Sequence, residues 1–217
     1  MKFTLTYDGQ LPGSGNNSRK LKEKWSIREQ ISPQLSRLWT IHPCLKVALQ
    51  NRFHPLRGSF YSRDEYHHSV APENNEVTSI PEGSIDLCAV QRVGDINFIP
   101  LVRNTYATVC SLSILFMRQE PIGRVYQGGD LDNRIKTLLD ALSVPKAEQV
   151  AQMSDPKNTA ETIYCLLEDD ALVAGLSVET CRLLTSPTAP ENEVRLIIQV
   201  DVKVTDARSY NTLFLGD

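Results

Sequence analysis

The chain has 217 residues, of which 41% are hydrophobic and 23% are charged, and its net charge is −3. These values are typical of a globular protein with one main domain over 1–217, and they argue against a fibrous or extensively disordered chain. The longest apolar stretches contain polar residues and fall far short of the roughly 20 residues that span a bilayer, so we expect no membrane partner. No secretory signal pattern opens the chain, and the five cysteines include no CxxC pair, so we expect reduced thiols and a cytoplasmic protein.

The N-terminal half is predicted to contain one strand and two helices. Residues 3–7 alternate bulky and hydroxyl side chains, which indicates a strand. Apolar residues recur at near-helical spacing over 21–38, with Pro33 as the expected break or restart, and a second helix is expected from about Pro43. We therefore predict a basic helical segment over 18–52. Residues 53–95 are predicted to be a loop-rich insertion, because their first part has no sustained hydrophobic period.

Charge is distributed unevenly along the chain. Residues 17–57 contain nine Lys or Arg and two acidic side chains, whereas residues 58–217 carry a net charge of −10. A basic segment beside an acidic remainder is a plausible pattern for a protein that holds a polyanion next to a metal site, and a solvated helix face has the same pattern. The candidate DNA-binding residues are Arg19, Lys20, Lys22, Lys24, Arg134 and Lys136.

The C-terminal half combines several predicted strands with one clear helix. Strands are predicted over 97–102, 108–117, 163–167, 173–178 and 194–204. Ile135, Leu138, Leu139 and Leu142 recur at i, i+3, i+4 and i+7, which predicts an amphipathic helix over 133–142. A polar insertion follows over 146–162. These elements predict an α+β fold in which helices pack on a mixed β-sheet.

The segment GGDLDNRIK at 128–136 groups two acidic residues with a lysine. If the chain is extended before the helix, Asp130 and Asp132 project from the same face, and Lys136 lies one helical turn beyond Asp132. Two or three carboxylates can hold Mg²⁺ against a phosphate, and a neighbouring ammonium can stabilise negative charge on that phosphate. The alternative is that Asp132 is a helix N-cap and Asp130 an ordinary turn residue.

A third carboxylate is expected from the sequence EDD at 168–170, a dense acidic cluster that follows the helix. Neighbouring residues of a strand face opposite ways. The pattern therefore allows either Asp169 alone at the site or Glu168 together with Asp170.

Other interpretations compete for these acidic residues. A calcium-binding EF-hand loop is excluded, because Ile135 and Ala141 occupy the positions that require Gly and Glu. A haloacid dehalogenase phosphatase places its DxD after an apolar strand, whereas a Gly-Gly pair precedes the motif in this chain. A different nuclease core would combine Asp201 and Lys203 of the last strand with Asp170, although both residues alternate with apolar ones, where solvated charges usually lie.

The motif DLDNxxK at 130–136, a Leu-rich helix and LEDDAxV at 167–173 together resemble the RusA-type Holliday junction resolvases. The resemblance covers about 105–205, with a weaker similarity in the first strand and its loop. It implies a RusA-like catalytic core over 105–205 with an N-terminal helical extension. By this match Asp130, Asp132 and Asp170 correspond to the catalytic, metal-binding carboxylates, and Lys136 corresponds to the family's lysine.

The resemblance also implies a function. RusA-like enzymes are homodimers that make paired nicks across a four-way DNA junction with Mg²⁺ at each site, and we expect Mn²⁺ to substitute. Family members are commonly shorter, so 39–104 and 146–162 have no counterpart. The residues just before the motif are often basic in the family, whereas here they are Val-Tyr-Gln-Gly-Gly with only Arg124 nearby. We expect a Mg²⁺-dependent, structure-selective DNA endonuclease. The alternative is a catalytically inactive DNA-binding or complex-forming module that keeps the fold.

Overall fold

A computed structural model of the chain describes residues 1–11, 17–62, 82–119, 131–152, 162–184 and 192–214. Within these ranges the protein has a mixed α+β fold with four α-helices and three β-sheets, as the sequence predicts at this level. No helix in them is long and apolar enough to cross a membrane.

The elements follow one another along the whole chain. The helices are α1 (Asn17–Ile41), α2 (Pro43–Gln50), α3 (Leu131–Leu142) and α4 (Ala147–Ala151). The strands are β1 (Lys2–Gln10), β2 (Asn51–His54), β3 (Ser59–Ser62), β4 (Ile85–Asp86), β5 (Gln91–Val93), β6 (Ile96–Val102), β7 (Thr108–Arg118), β8 (Thr162–Leu167), β9 (Val173–Arg182) and β10 (Glu193–Val204). Short 3₁₀ turns cover Asn104–Tyr106, Asp170–Leu172 and Thr212–Phe214. All six predicted strands and the predicted helix over 133–142 are present, with small differences at their ends.

The largest sheet has the strand order β1-β10-β7-β9. Strands β7 and β9 are parallel, and the other two pairs are antiparallel. Alternation along β10 directs every second side chain into the core, so that Leu196 and Ile198 are fully buried. The opposite face, which we call the outer face, carries small, charged and half-buried side chains. The hydrophobic period of the strands therefore determines which face packs against the rest of the protein.

Helix α1 protects the β1 edge of this sheet. The Gln34 side-chain amide donates to the Thr6 carbonyl (2.7 Å) and accepts from the Thr6 N–H (3.0 Å). Gln30 makes the same pair of hydrogen bonds with the backbone of Asp8, at 2.9 and 3.2 Å. Two glutamine side chains thus take the place of a neighbouring strand, which keeps this edge from pairing with another chain.

Helix α1 continues through Pro33, so the predicted break is wrong. Pro33 is exposed, whereas Ile31 and Leu35 on either side of it are buried in the core. A proline inside a helix costs roughly 3 kcal/mol, because it removes a hydrogen bond and crowds the preceding turn. Packing of the flanking apolar side chains holds the helix together across this residue.

Helix α1 also positions α3, which supplies part of the site described below. The buried Arg28 guanidinium donates to the carbonyls of Asp140 (2.7 Å) and Ser143 (3.3 Å). The Lys24 ammonium pairs with the Asp140 carboxylate at 2.7 Å. Carbonyls at the end of a helix have no partner within the helix, so these contacts both satisfy them and fix α3 against α1.

The remaining strands form two three-stranded sheets, β5-β6-β8 and β3-β2-β4. The β3-β2-β4 sheet lies largely within 53–95, so the prediction of a loop-rich insertion missed a hairpin there. Its strands are two to four residues long, which is too short for a hydrophobic period to be recognised. Helix α4 similarly occupies part of the predicted polar insertion at 146–162.

The five cysteines form no disulfide bond and differ in burial, so we expect them to differ in reactivity. Cys88, Cys110 and Cys165 are buried, whereas Cys44 and Cys181 are partly exposed. Burial raises the pKa of Cys110 and of Cys165 to about 12. At pH 8 a thiol reagent should modify Cys44 and Cys181 in the native protein and the other three only in urea, as peptide mass spectrometry would show. Equal native rates at Cys165 and Cys44 would contradict this.

The same two buried thiols predict an alkaline loss of stability. In the unfolded chain a thiol ionises near its usual pKa of 9.0, whereas the folded protein keeps Cys110 and Cys165 protonated to about 12. The unfolded state therefore binds fewer protons in this window, and the free energy of unfolding falls as pH rises from 9 towards 12. Urea titrations of the wild type and of the double variant Cys110→Ala, Cys165→Ala should give a shallower fall for the variant.

Candidate functional site

A pocket of about 580 Å³ lies at the β9 end of the four-stranded sheet, beside α3 and the 3₁₀ turn Asp170–Leu172. Three polar side chains line it: Asp132 and Lys136 from α3, and Asp170 from the turn. Its apolar lining comprises Leu131, Ile135, Leu139, Leu176 and Val178. Two distant parts of the chain thus bring the predicted acidic and basic residues into one pocket.

Helix α3 presents Asp132 and Lys136 together. The helix begins at Leu131, so Asp132 is its second residue and is neither extended nor the N-cap. Asp132 and Lys136 are exposed and four residues apart, which places them on the same side of the helix. The helix dipole favours a carboxylate in this first turn. The third residue of the motif, Asp130, lies outside the described residues.

The acidic cluster at 168–170 divides into three different environments. Glu168 accepts from the Gln91 side chain and from the Asn104 N–H, both at 2.8 Å. Asp169 is the N-cap of the 3₁₀ turn and accepts from the Ala171 N–H at 2.9 Å. Of the three acidic residues, Asp170 is the one that lines the pocket. These residues follow the end of β8, so strand alternation does not govern which way their side chains point.

No protein-family model, curated protein or solved structure matches this chain. Within the described ranges, no group of three or more His, Cys, Asp or Glu side chains is arranged to hold a metal ion. Two of the three predicted ligands are described, and both line the same pocket. Mg²⁺ commonly binds through one or two carboxylates and keeps several waters, so this donor set fits the ion.

Two of the predicted DNA-binding residues, Arg134 and Lys24, are largely buried. Arg134 is 2% exposed, so its guanidinium does not lie on the surface. The Lys24 side chain is 13% exposed and pairs with Asp140, as described above. Arg19 pairs with Glu23 at 3.3 Å but stays half exposed, and Lys22 is exposed. The predictions for Arg134 and Lys24 therefore do not fit their burial, whereas the first turns of α1 still present basic side chains to solvent.

Glu23 of α1 lies among basic side chains of both α1 and α3. Arg28 of α1 contacts the last turn of α3, whereas Glu23, one turn earlier, lies near Arg134 at the start of α3. Burial raises the pKa of the Glu23 carboxyl above its usual value, and the neighbouring cations, Arg19 and Lys20 among them, oppose this rise.

The competing D-x-K arrangement does not form. Asp201 lines a depression on the outer face of the four-stranded sheet, and Lys203 pairs with it at 3.6 Å. Asp170 instead lines the pocket between β9 and α3 on the core side. The three residues of that alternative are therefore divided between the two faces of the sheet.

Sequence reasoning missed the apolar wall that Leu176 and Val178 contribute from β9. Both side chains line the pocket opposite α3. The signal was present in the chain, because the predicted strand at 173–178 follows Asp170 after only two residues. A strand that leaves an acidic turn so directly must pass beside the carboxylate.

Proposed function

We propose that this chain is a Mg²⁺-dependent DNA endonuclease that cuts branched DNA, with the four-way junction as its foremost substrate. One observation carries the proposal: Asp132, Lys136 and Asp170, which lie in separate parts of the sequence, line one pocket. The motif resemblance to the RusA-type resolvases supports the choice of substrate and a homodimeric enzyme. The two carboxylates and one ammonium that line the pocket support metal-dependent hydrolysis of a phosphodiester.

Each residue of the pocket has a definite task in this proposal. Asp132 and Asp170, with Asp130 two residues before Asp132 in the sequence, would hold Mg²⁺. The bound ion would activate a water and offset charge on the phosphate. Lys136 would donate to a non-bridging phosphate oxygen and stabilise the negative charge that grows there. Leu139, Leu176 and Val178 form an apolar wall beside these charges.

The DNA backbone would cross the start of α1. Arg19, Lys20 and Lys22 lie in its first turns, where their side chains are at least partly exposed. Phosphate contacts position a nuclease on its substrate without reading sequence, so this surface suits a structure-selective enzyme. Arg134 and Lys24 have no part in the proposed contact.

Purified protein incubated with four-way junction, flap, duplex and single-stranded DNA tests the proposal directly. We expect nicking of the junction in Mg²⁺ or Mn²⁺ and none in EDTA, measured by denaturing gel electrophoresis of end-labelled strands. Cleavage of the flap but not the junction would show that the substrate is a flap, and the proposal of metal-dependent DNA hydrolysis would stand. Junction binding without cleavage in either metal would favour the catalytically inactive DNA-binding module instead.

A further inference from the structure

The hairpin of β2 and β3 presents an apolar side chain to solvent. The loop between the two strands, residues 55–58, is exposed at every position, and we call it the hairpin tip. Leu56 in this tip is 93% exposed, more than any other large hydrophobic side chain in the described residues. Phe60, in β3, is 43% exposed, although its ring packs on buried Phe53 with centroids 5.1 Å apart.

Hydrogen bonds give the hairpin tip a defined conformation. The His54 carbonyl accepts from the N–H groups of Arg57 (3.2 Å) and Gly58 (2.9 Å). Pro55 fixes its own φ, and Gly58 has a φ of +60°, which glycine adopts without strain. The backbone on both sides of Leu56 is therefore held by its own contacts, and the loop is a defined turn.

The His54 side chain anchors this turn to the body of the protein. The ring is largely buried, and its Nδ1 accepts from the Arg57 N–H at 3.2 Å. The ring proton is therefore on Nε2, which donates to the Glu82 carbonyl at 3.1 Å. The neighbouring Phe53 is buried and packs against Tyr210, with ring centroids 5.8 Å apart. The hairpin is thus fixed in the core at its base, while the Leu56 side chain stays in water.

The hairpin carries positive charge. Residues 51–62 contain Arg52 and Arg57 and no acidic residue, although the whole chain has a net charge of −3. Arg57 is exposed and follows Leu56 directly. An apolar side chain beside a guanidinium suits nucleic acid, because the faces of bases are apolar and the backbone is anionic. Leucine and phenylalanine are among the residues that proteins insert as wedges between unstacked bases.

We propose that the hairpin tip binds the branch point of DNA, with Leu56 inserted at the open end of a base stack. Arg57 contacts the adjacent phosphate, and Phe60 adds apolar surface for an unpaired base. Within an intact duplex each base is stacked on both sides, so a wedge must first separate two bases. At a branch point the stacks of the arms end, and insertion costs less. The hairpin tip therefore selects branched DNA over duplex.

The choice of DNA as the partner rests on the proposed function, and the hairpin tip gives that function a source of selectivity outside the metal site. The hairpin lies within 39–104, the part of the chain that has no counterpart in the RusA-type family. The selectivity assigned to it is therefore a property of this chain.

A continuous set of packed residues joins the hairpin to the acidic turn. Tyr210 packs against both Phe53 and Tyr106, with ring centroids 5.8 and 6.4 Å away. Tyr106 belongs to the 3₁₀ turn whose Asn104 N–H donates to Glu168 at 2.8 Å. The hairpin and the turn that carries the acidic residues are thus parts of one core.

DNA binding in EDTA tests the hairpin tip separately from cleavage. A four-way junction with 2-aminopurine at the branch point reports the unstacking of that base as a rise in fluorescence. We expect the wild type to raise this signal and to bind the junction about tenfold more tightly than a duplex of equal length. Leu56→Ser should abolish the rise, weaken junction binding about tenfold and leave duplex binding unchanged, because a stacked base contributes about that much.

Two further variants control for this change. Leu184→Ser makes the same substitution at a leucine of another segment that is 87% exposed, so it should behave like the wild type. Leu56→Met keeps an apolar side chain of similar size and should keep both the fluorescence rise and the affinity. Leu56 lies in water, so its variants should have the urea midpoint of the wild type.

Several outcomes would overturn the proposal. One is a Leu56→Ser protein that binds the junction and raises the fluorescence as the wild type does. Another is equal loss of junction binding in Leu56→Ser and Leu184→Ser. If Leu56→Ser lost binding to vesicles of anionic lipid and kept junction binding, the hairpin tip would belong to a membrane contact instead.

The hairpin tip and the nuclease can fail independently. Equal nicking of the junction in Mg²⁺ by the wild type and Leu56→Ser, with equal binding, would overturn the role of the tip and leave the nuclease standing. Junction binding that depends on Leu56, without nicking in Mg²⁺ or Mn²⁺, would support the tip and overturn the nuclease.

Discussion

Asp132→Asn is expected to reduce junction nicking in Mg²⁺ at least about 100-fold, because even the loss of a group that merely supports a metal ligand commonly costs 10–100-fold. The substitution removes the charge that holds the cation and keeps the size of the side chain. Asp132 is exposed at the start of α3, so the fold should tolerate the change with a loss of no more than about 1 kcal/mol from the helix dipole. Junction binding, measured by electrophoretic mobility shift in Ca²⁺, should remain within a few-fold of the wild type.

A matched control for this variant lies on the same helix. Asp140→Asn makes the same chemical change at a side chain that pairs with Lys24 instead of lining the pocket. We expect a small loss of stability in urea titrations and normal nicking. Full activity of Asp132→Asn, or equal losses of activity in the two variants, would show that the pocket is not the reaction centre.

Asp170→Asn and Asp169→Ala are expected to have opposite effects, although the two residues are adjacent. Asp170 lines the pocket, so its variant should lose at least about 100-fold in nicking and little stability, for the reason given for Asp132. Asp169 caps the 3₁₀ turn, so its variant should lose about 1 kcal/mol of unfolding free energy and keep most of its activity. The pair separates a ligand from a structural carboxylate.

Kinetics and denaturation must be measured on the same preparations of these two proteins. Nicking rates at saturating enzyme report on the chemical step, and urea midpoints report on the turn. If Asp169→Ala abolished nicking and Asp170→Asn did not, the assignment of the third carboxylate would be reversed. If both variants lost activity and both had much lower urea midpoints, the effect of Asp170→Asn would be explained by loss of folding and not by loss of a metal ligand.

Much of the fold follows from local pattern in the sequence. The long strands β7 and β10 alternate over eleven and twelve residues, and α3 has a continuous apolar stripe, so their period identifies them. The i, i+4 spacing places Asp132 and Lys136 on one side of that helix whatever surrounds it. By contrast, each strand of the hairpin at Asn51–Ser62 has only four residues. A hydrophobic period cannot be recognised over so short a stretch.

Tertiary packing decided the roles of the charged residues. Lys24 and Arg134 belong to a basic pattern in the sequence, but the packing of α1 along α3 draws Lys24 to Asp140 and buries Arg134. Helix pairing depends on which apolar faces meet in three dimensions, and a local pattern does not contain that information. The helix also continues through Pro33, because contacts from distant strands outweigh the local cost of proline.

For the acidic residues too, the sequence determined part of the site and the tertiary structure decided the rest. Sequence alone determined that two carboxylates and a lysine stand near the start of a helix and that three more acidic residues follow a strand. It left the choice among Glu168, Asp169 and Asp170 open, because alternation ends where the strand ends. Only the tertiary structure separated them, since the Gln91 side chain and the Asn104 N–H engage Glu168 and the turn engages Asp169. Of the three, Asp170 is the residue that lines the pocket.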